Sequence, residues 1–332
     1  MPGSLKKSGP PILDVRGLCM GIWSGKTELV AVADVSFRAY SGQVVALVGE
    51  SGAGKSITAM SLTHLLPMPP IKITAGEIRL SGRDMQTQSP KQIRDIRGNE
   101  VGIVFQEPMT ALNPSLRIWR QIAEPLVRHR RMSWSAAKAQ AIYLLKKVRI
   151  PDAETKAEAY PHQLSGGMRQ RVMVAIAISC EPRLIIADEP TTALDVTVQA
   201  QILTLLTDLT RGLGGALLLI THDLGVVARY ADWVNVMYAG RIVETAAADD
   251  LYRDGRHPYT HALLASVPKI VGPIAHRLES IAGQPPAPSD GTGGCAFAPR
   301  CPRRTERCDE RPPLSGDERT RNGHLFACWN PL

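Results

Sequence analysis

No apolar run in this 332-residue chain approaches the roughly 18 residues that a membrane-crossing helix needs. Even Gly215-Ala216-Leu217-Leu218-Leu219-Ile220 stops at Thr221, so the chain is not expected to cross a bilayer by itself. No secretory leader is expected either. Lys6 and Lys7 are followed by Ser8, Gly9, Pro10 and Pro11 where an apolar segment would have to begin, and residues 1–10 are expected to be a frayed tail on a cytosolic chain. No tandem repeat occurs, and no two cysteines are spaced as the tight C-x2-4-C pair that zinc favours.

What is present is an ordinary globular balance, 44% hydrophobic and 21% charged, with ample material for a core. The formal net charge of +8 is compatible with an anionic partner, either nucleic acid or the inner face of a membrane. Lys and Arg are spread along the whole chain, with local enrichment at Arg128 to Arg131 and Arg300 to Arg307. Such runs are usually solvated faces, and no nucleic-acid partner is expected from them.

The punctuation of the chain gives its organisation. Val44 to Val48 is a β-branched run that ends at Gly49, opens into a glycine-rich turn and continues as an apolar helical stretch, Ile57 to Leu66, before Pro67. Two further apolar strands, Leu184 to Ala187 and Ala216 to Ile220, run into Asp188-Glu189 and Thr221-His222-Asp223. Strands that alternate with helices and end in polar residues predict an α/β fold with a mainly parallel sheet and a site at the strand ends. Between about 107 and 165 the pattern becomes helix-rich, as in Ser135 to Val148, and reads as an inserted helical subdomain of a domain covering 11–250. From 251 to 332 Pro and Gly become frequent, as in Gln284-Pro285-Pro286-Ala287-Pro288, which predicts a separate loop-rich extension.

The chemistry begins at Gly49-Glu50-Ser51-Gly52-Ala53-Gly54-Lys55-Ser56, continued by Ile57, which fits G-x-x-x-x-G-K-[ST] between a strand and a helix. Its glycines let backbone N–H groups converge on phosphate oxygens, and the helix that follows offers its positive end to the same anion. Lys55 is expected to reach the β- and γ-phosphates of ATP, and the Ser56 hydroxyl to ligate Mg²⁺. The strand ending in Asp188 and Glu189 supplies the complement: Asp188 for the Mg²⁺ shell and Glu189 to polarise the attacking water. The glycine loop in this context already specifies a nucleotide site; the acidic pair is a weak signal alone and a strong one beside it.

With these residues placed, the chain resembles the ATP-binding subunits of ABC transporters over about its first 250 residues. Leu164-Ser165-Gly166-Gly167-Met168 is similar to the family signature, Gln106 to the Q-loop glutamine, Ala193-Leu194-Asp195 to the D-loop and His222 to the switch histidine. The resemblance implies a P-loop NTPase cassette with an antiparallel β subdomain. It also implies that two cassettes meet head to tail, each ATP lying between the glycine loop of one and Ser165, Gly166 and Gly167 of the other. A second ATPase subunit and two transmembrane permease subunits are the expected partners, Gln106 linking the Mg²⁺ site to the helical insert that couples to them. His222 is expected to contact the γ-phosphate or water, although a lone histidine after a strand is commonly a structural residue. For the adenine base the family uses an upstream aromatic. Trp23 is the nearest, with plain packing as its other reading.

The extension carries the resemblance further. Arg256-His257-Pro258-Tyr259-Thr260, Ala262-Leu263-Leu264, Ser266-Val267-Pro268, Gly283-Gln284-Pro285-Pro286 and Gly294-Cys295-Ala296-Phe297-Ala298-Pro299-Arg300-Cys301-Pro302 resemble the C-terminal segment of dipeptide and oligopeptide importer ATPases. This implies peptide import powered from the cytoplasmic face of a bacterial inner membrane, with an extracytoplasmic peptide-binding protein in the assembly. Nickel importers are the nearby alternative, and a soluble ABC ATPase acting on nucleic acid or ribosomes the more distant one. Cys295, Cys301, Cys308 and Cys328 form a C-x5-C-x6-C-x19-C array. Its wide, irregular spacing suits a [4Fe-4S] cluster, to which the resemblance also points, with zinc as the runner-up. Arg300, Arg303, Arg304 and Arg307 are expected to favour the thiolates.

Overall fold

A computed structural model describes residues 9–25, 27–192, 194–267, 281–286, 293–318 and 323–332. The tail through Ser8, Ala193 of the D-loop tripeptide, Pro268 and the Ala287-Pro288 end of the proline-rich stretch therefore lie outside the described residues. The chain divides into two compact units, each assembled from separate stretches of sequence.

The first unit takes Met1–Leu13, Ala39–Val44 and Arg79–Ile220. Its centre is a run of parallel strands: Val101–Val104 beside Leu184–Asp188, and Leu184–Asp188 beside Ala216–Thr221. Every residue of the second and third strands is buried, as expected of a parallel sheet covered on both faces. The helix Gly166–Ile178 lies so close to the first strand that a Cβ on Gly102 would stand 2.2 Å from the Ala177 carbonyl oxygen. Around this centre stand the helices Ile118–Arg130, Trp134–Lys147 and Val196–Gly212. Ser133 starts the second of them by accepting a hydrogen bond from the Ala136 amide, so that the helix begins at Trp134, one residue before the Ser135 to Val148 stretch read from sequence.

The second unit takes Asp14–Arg38, Val45–Ile78 and Thr221–Leu332. The wholly buried strand Val44–Val48 pairs in parallel with Trp233–Tyr238, which pairs antiparallel with Arg241–Ala247, which in turn pairs antiparallel with the short strand Leu325–Phe326. A separate sheet carries the long strands Thr27–Ala39, Leu13–Ser24 and Ile71–Leu80 in that order. One apolar cluster joins Val48, Val234, Val236 and Tyr238 to Leu251, Tyr259, Leu263 and Phe297. Residues from the C-terminal 251–332 stretch thus share a core with the strand that precedes the glycine-rich turn. The helix after that turn is shorter than the sequence suggested, Lys55–Ser61, with left-handed His64 (φ 54°) marking the turns that follow it.

Candidate functional site

In the second unit, the turn after Val48 is shaped by glycines that cannot be replaced. Gly49 takes φ 151° with the Met237 carbonyl oxygen 2.1 Å from where a Cβ would lie. Gly54 (φ 99°) is the residue before the helix, pressed by Met237 Cε and the Ala31 carbonyl. Between them Ser51 and Gly52 are exposed, as is Ser56, so the concave turn presents backbone and hydroxyl groups outward. Lys55 is 5% exposed, and its ammonium donates to the carbonyl oxygens of Gly49 and Glu50, both at 2.8 Å. The cation is thereby held over the turn, in the chemistry an anion requires.

Two groups that sequence reasoning did not connect to this turn support it from the C-terminal stretch. The Tyr259 hydroxyl oxygen accepts the Glu50 backbone N–H at 2.8 Å, and Arg300 donates to both oxygens of the Glu50 carboxylate at 2.6 and 3.0 Å. His222 sits exposed at a turn closed by Asp223, which accepts from the Val226 amide and so starts the helix Leu224–Tyr230. Trp23, half-buried in the Leu13–Ser24 strand, carries the Lys72 ammonium 5.0 Å over its ring.

In the first unit, Asp188 closes its strand at 4% exposure. Glu189 turns the chain sharply with φ 43°, a left-handed conformation uncommon for a residue with a side chain, which costs roughly 1 kcal/mol and tends to persist where function fixes it. Its backbone N–H donates to the Ile220 carbonyl. Its Oε2 accepts from the Gln106 side-chain amide and from the Thr192 hydroxyl, each at 3.0 Å. A carboxylate gripped by two donors is held in a fixed orientation, as a group that must face a water requires. The sequence singled out Gln106 as a metal and coupling residue; its bond to Glu189 is additional.

Ser165 begins the Gly166–Ile178 helix, its hydroxyl accepting from the Met168 amide, and both Ser165 and Gly166 are exposed. A Cβ on Gly167 would come within 3.0 Å of Val198, so the serine-glycine turn packs directly on the helix that Asp195 begins. The Asp195 carboxylate accepts from the Val198 amide at 2.9 Å, a capping role. The next residue, Val196, is apolar yet 82% exposed.

The four C-terminal cysteines, up to 33 residues apart in sequence, all line one small cavity of about 10 Å³, together with His257, Phe297 and Trp329. Burial pushes the thiols of Cys295 and Cys301 up and that of Cys328 up to about 11. As thiols they are stable here; as thiolates they need a cation in their midst. Among the described residues no group of three or more His, Cys, Asp or Glu is placed to hold a single metal ion, so the convergence is one of cavity walls. The arginines act less on the sulfurs than their sequence proximity suggested. Arg303 favours the charged form of Cys301, but Arg300 is committed to Glu50, Arg304 to Asp309, and Arg307 lies 3.9 Å over the Trp329 ring.

Residues 32–192 match the ABC transporter family and residues 243–308 match the oligopeptide/dipeptide transporter C-terminal region. Among curated proteins, the oligopeptide transport ATP-binding protein AppD of Bacillus subtilis (strain 168) is 49% identical over 91% of this chain and 92% of its own length. The dipeptide transport ATP-binding protein DppD of the same organism is 45% identical over 96% and 94%. Among solved structures, the dimeric post-hydrolysis state of the ATP-binding cassette MJ0796 bound to ADP and Pi superposes with a TM-score of 0.64 at 27% identity, covering 71% of this chain and 98% of that one.

Proposed function

The chain belongs to the ABC transporter family of ATPases, and we propose that it is the ATP-hydrolysing subunit that powers an importer of dipeptides or oligopeptides. The observation that carries this is the joining, on one chain, of a glycine-rich phosphate turn and an Asp188-Glu189 pair with an oriented glutamate to a C-terminal region matched to oligopeptide and dipeptide transporters. Lys55 and the amides of Gly49 to Ile57 bind the phosphates of ATP, Trp23 stacks on its base, and His222 contacts the γ-phosphate. Ser56, Asp188 and Gln106 hold Mg²⁺, which when bound neutralises phosphate charge. Glu189, aimed by Gln106 and Thr192, takes the proton of the attacking water. Ser165, Gly166 and Gly167, with the D-loop at Asp195, close over the nucleotide of a second ATPase subunit. The exposure of Ser165, Gly166 and Val196 suits such an interface. Exposed Phe105 and Met109, flanking Gln106, suit contact with permease subunits. Among the described residues no helix is long and apolar enough to cross a membrane. In this reading the permeases hold the chain at the cytoplasmic face of the inner membrane, with a peptide-binding protein on the far side.

The test is Glu189→Gln. ATP binding is expected to stay within a few-fold of wild type while steady-state hydrolysis falls by roughly 10²-fold or more. Retained hydrolysis would remove Glu189 from the base position.

We assign Cys295, Cys301, Cys308 and Cys328 to a [4Fe-4S] cluster. Soft sulfur donors lining one shared cavity fit such a group in type, whereas zinc would ask for tighter pairs. The cluster would supply a structural clamp and the positive charge that the buried thiolates lack.

A further inference from the structure

We propose that Arg300 is a charge-masking and positioning residue of the phosphate loop: it cancels the Glu50 carboxylate, which would otherwise oppose a bound triphosphate. This deepens the nucleotide reading of the Gly49 to Ser56 turn and rests on it.

Glu50 is the second residue of a turn built to gather anions, and its own carbonyl accepts the Lys55 ammonium. A carboxylate at that point conflicts with the purpose of the turn, because like charges repel strongly where solvent is partly excluded. Arg300 removes the conflict. Its guanidinium meets the carboxylate fork to fork, Nη1 to Oε2 at 2.6 Å and Nη2 to Oε1 at 3.0 Å. The arginine side chain is 5% exposed and the glutamate 26%, so water screens the pair little. Three further donations, to the Ala282 carbonyl at 2.8 Å, the Tyr238 hydroxyl at 3.2 Å and the Ile281 carbonyl at 3.4 Å, fix the guanidinium, which also stands over the rings of Tyr238 and Phe297. Surface ion pairs are loose and weak; this one is clamped on every side.

Arg300 is placed by the cysteine-bearing backbone. It ends the short helical turn Ala298–Arg300, with the Ala298 amide donating to the Cys295 carbonyl and the Cys301 amide donating to the Ala298 carbonyl. Tyr259, which holds the Glu50 amide, packs with Tyr238 and Phe297 at ring separations of 4.6 and 5.3 Å. The segment between Cys295 and Cys301 and the phosphate turn are therefore linked through one mask and one tether.

The experiment titrates the purified full-length chain with a fluorescent ATP analogue in the presence of magnesium. Failure of wild type to bind would overturn the nucleotide reading and the mask that rests on it together, whereas binding by wild type with the wrong pattern among the variants would overturn the mask alone. Arg300→Met is expected to weaken binding about tenfold, with the deficit shrinking as salt rises. Glu50→Gln leaves the guanidinium unmatched and is expected to tighten binding about twofold or more. The double variant is expected to return close to wild type. Opposite signs from the two single variants are the mark of a charge mask, since removing either half of a mere strut weakens binding. Equal weakening by both, no change in Arg300→Met, or a double variant as weak as Arg300→Met overturns the proposal. Should Arg300→Met fail to fold by circular dichroism, Arg300→Gln with and without Glu50→Gln carries the same comparison.

Discussion

At the scale of single residues, the buried acid Glu244 does work that its sequence position does not announce. Its carboxylate is 0% exposed and accepts from the backbone amides of Arg256 and His257 at 2.6 and 2.9 Å and from His324 Nε2 at 2.7 Å. One side chain thus fixes the start of the Pro258–Ala265 helix and the approach to the last strand. Glu244→Gln would turn an amide donor toward groups that are already donors. A loss of about 2 kcal/mol is expected, read as a lowered midpoint in chemical denaturation, with the ATP site intact in the folded fraction. Other residues were plain in the sequence, because their type and spacing leave little freedom: Lys55 and Ser56 follow a fixed pattern of glycines, and Asp188 and Glu189 end an apolar strand. The Gln106 to Glu189 bond spans 83 residues and the Arg300 to Glu50 pair spans 250. No local pattern encodes either, since both depend on how distant chain segments return to one another.

At the scale of elements, the strands were the most legible part, since Val44–Val48, Leu184–Asp188 and Ala216–Thr221 are short, apolar and bounded by turn residues. Helix ends were less so. The apolar run from Ile57 to Leu66 overstated its helix because periodicity continues through residues whose backbone has already turned. The close seat of the Gly166–Ile178 helix on the Val101–Val104 strand had no readable signal except a glycine within a strand. Gly102→Ala should therefore destabilise by about 2 kcal/mol. The added methyl group lifts the helix whose first turn displays Ser165 and Gly166. Thermal unfolding should show the loss, and ATPase activity should fall more than the folded fraction does.

At the scale of the whole molecule, the cysteine segment belongs to the cassette's own core. Phe297 is 2% exposed and packs in the cluster that contains Val48, so burying it contributes about 2 kcal/mol toward holding the two regions together. The sequence distinguished this stretch by composition but not its seat, since Pro- and Gly-rich segments carry no periodicity from which to infer a partner. Iron content and colour test the cluster assignment. Anaerobically purified protein should be brown, with roughly four irons per chain, and lose both colour and thermal stability on chelation. A colourless, iron-free protein of unchanged stability would remove the assignment.

The pairing of Arg300 with Glu50 also limits how this motor can be rebuilt. A chimera that grafts a foreign tail after Ala247 would leave a naked acid among the phosphate-binding amides, however well each piece folded. Exchanging tails between such motors would then require exchanging the glutamate with them, as if lock and key had been cut from opposite ends of one gene.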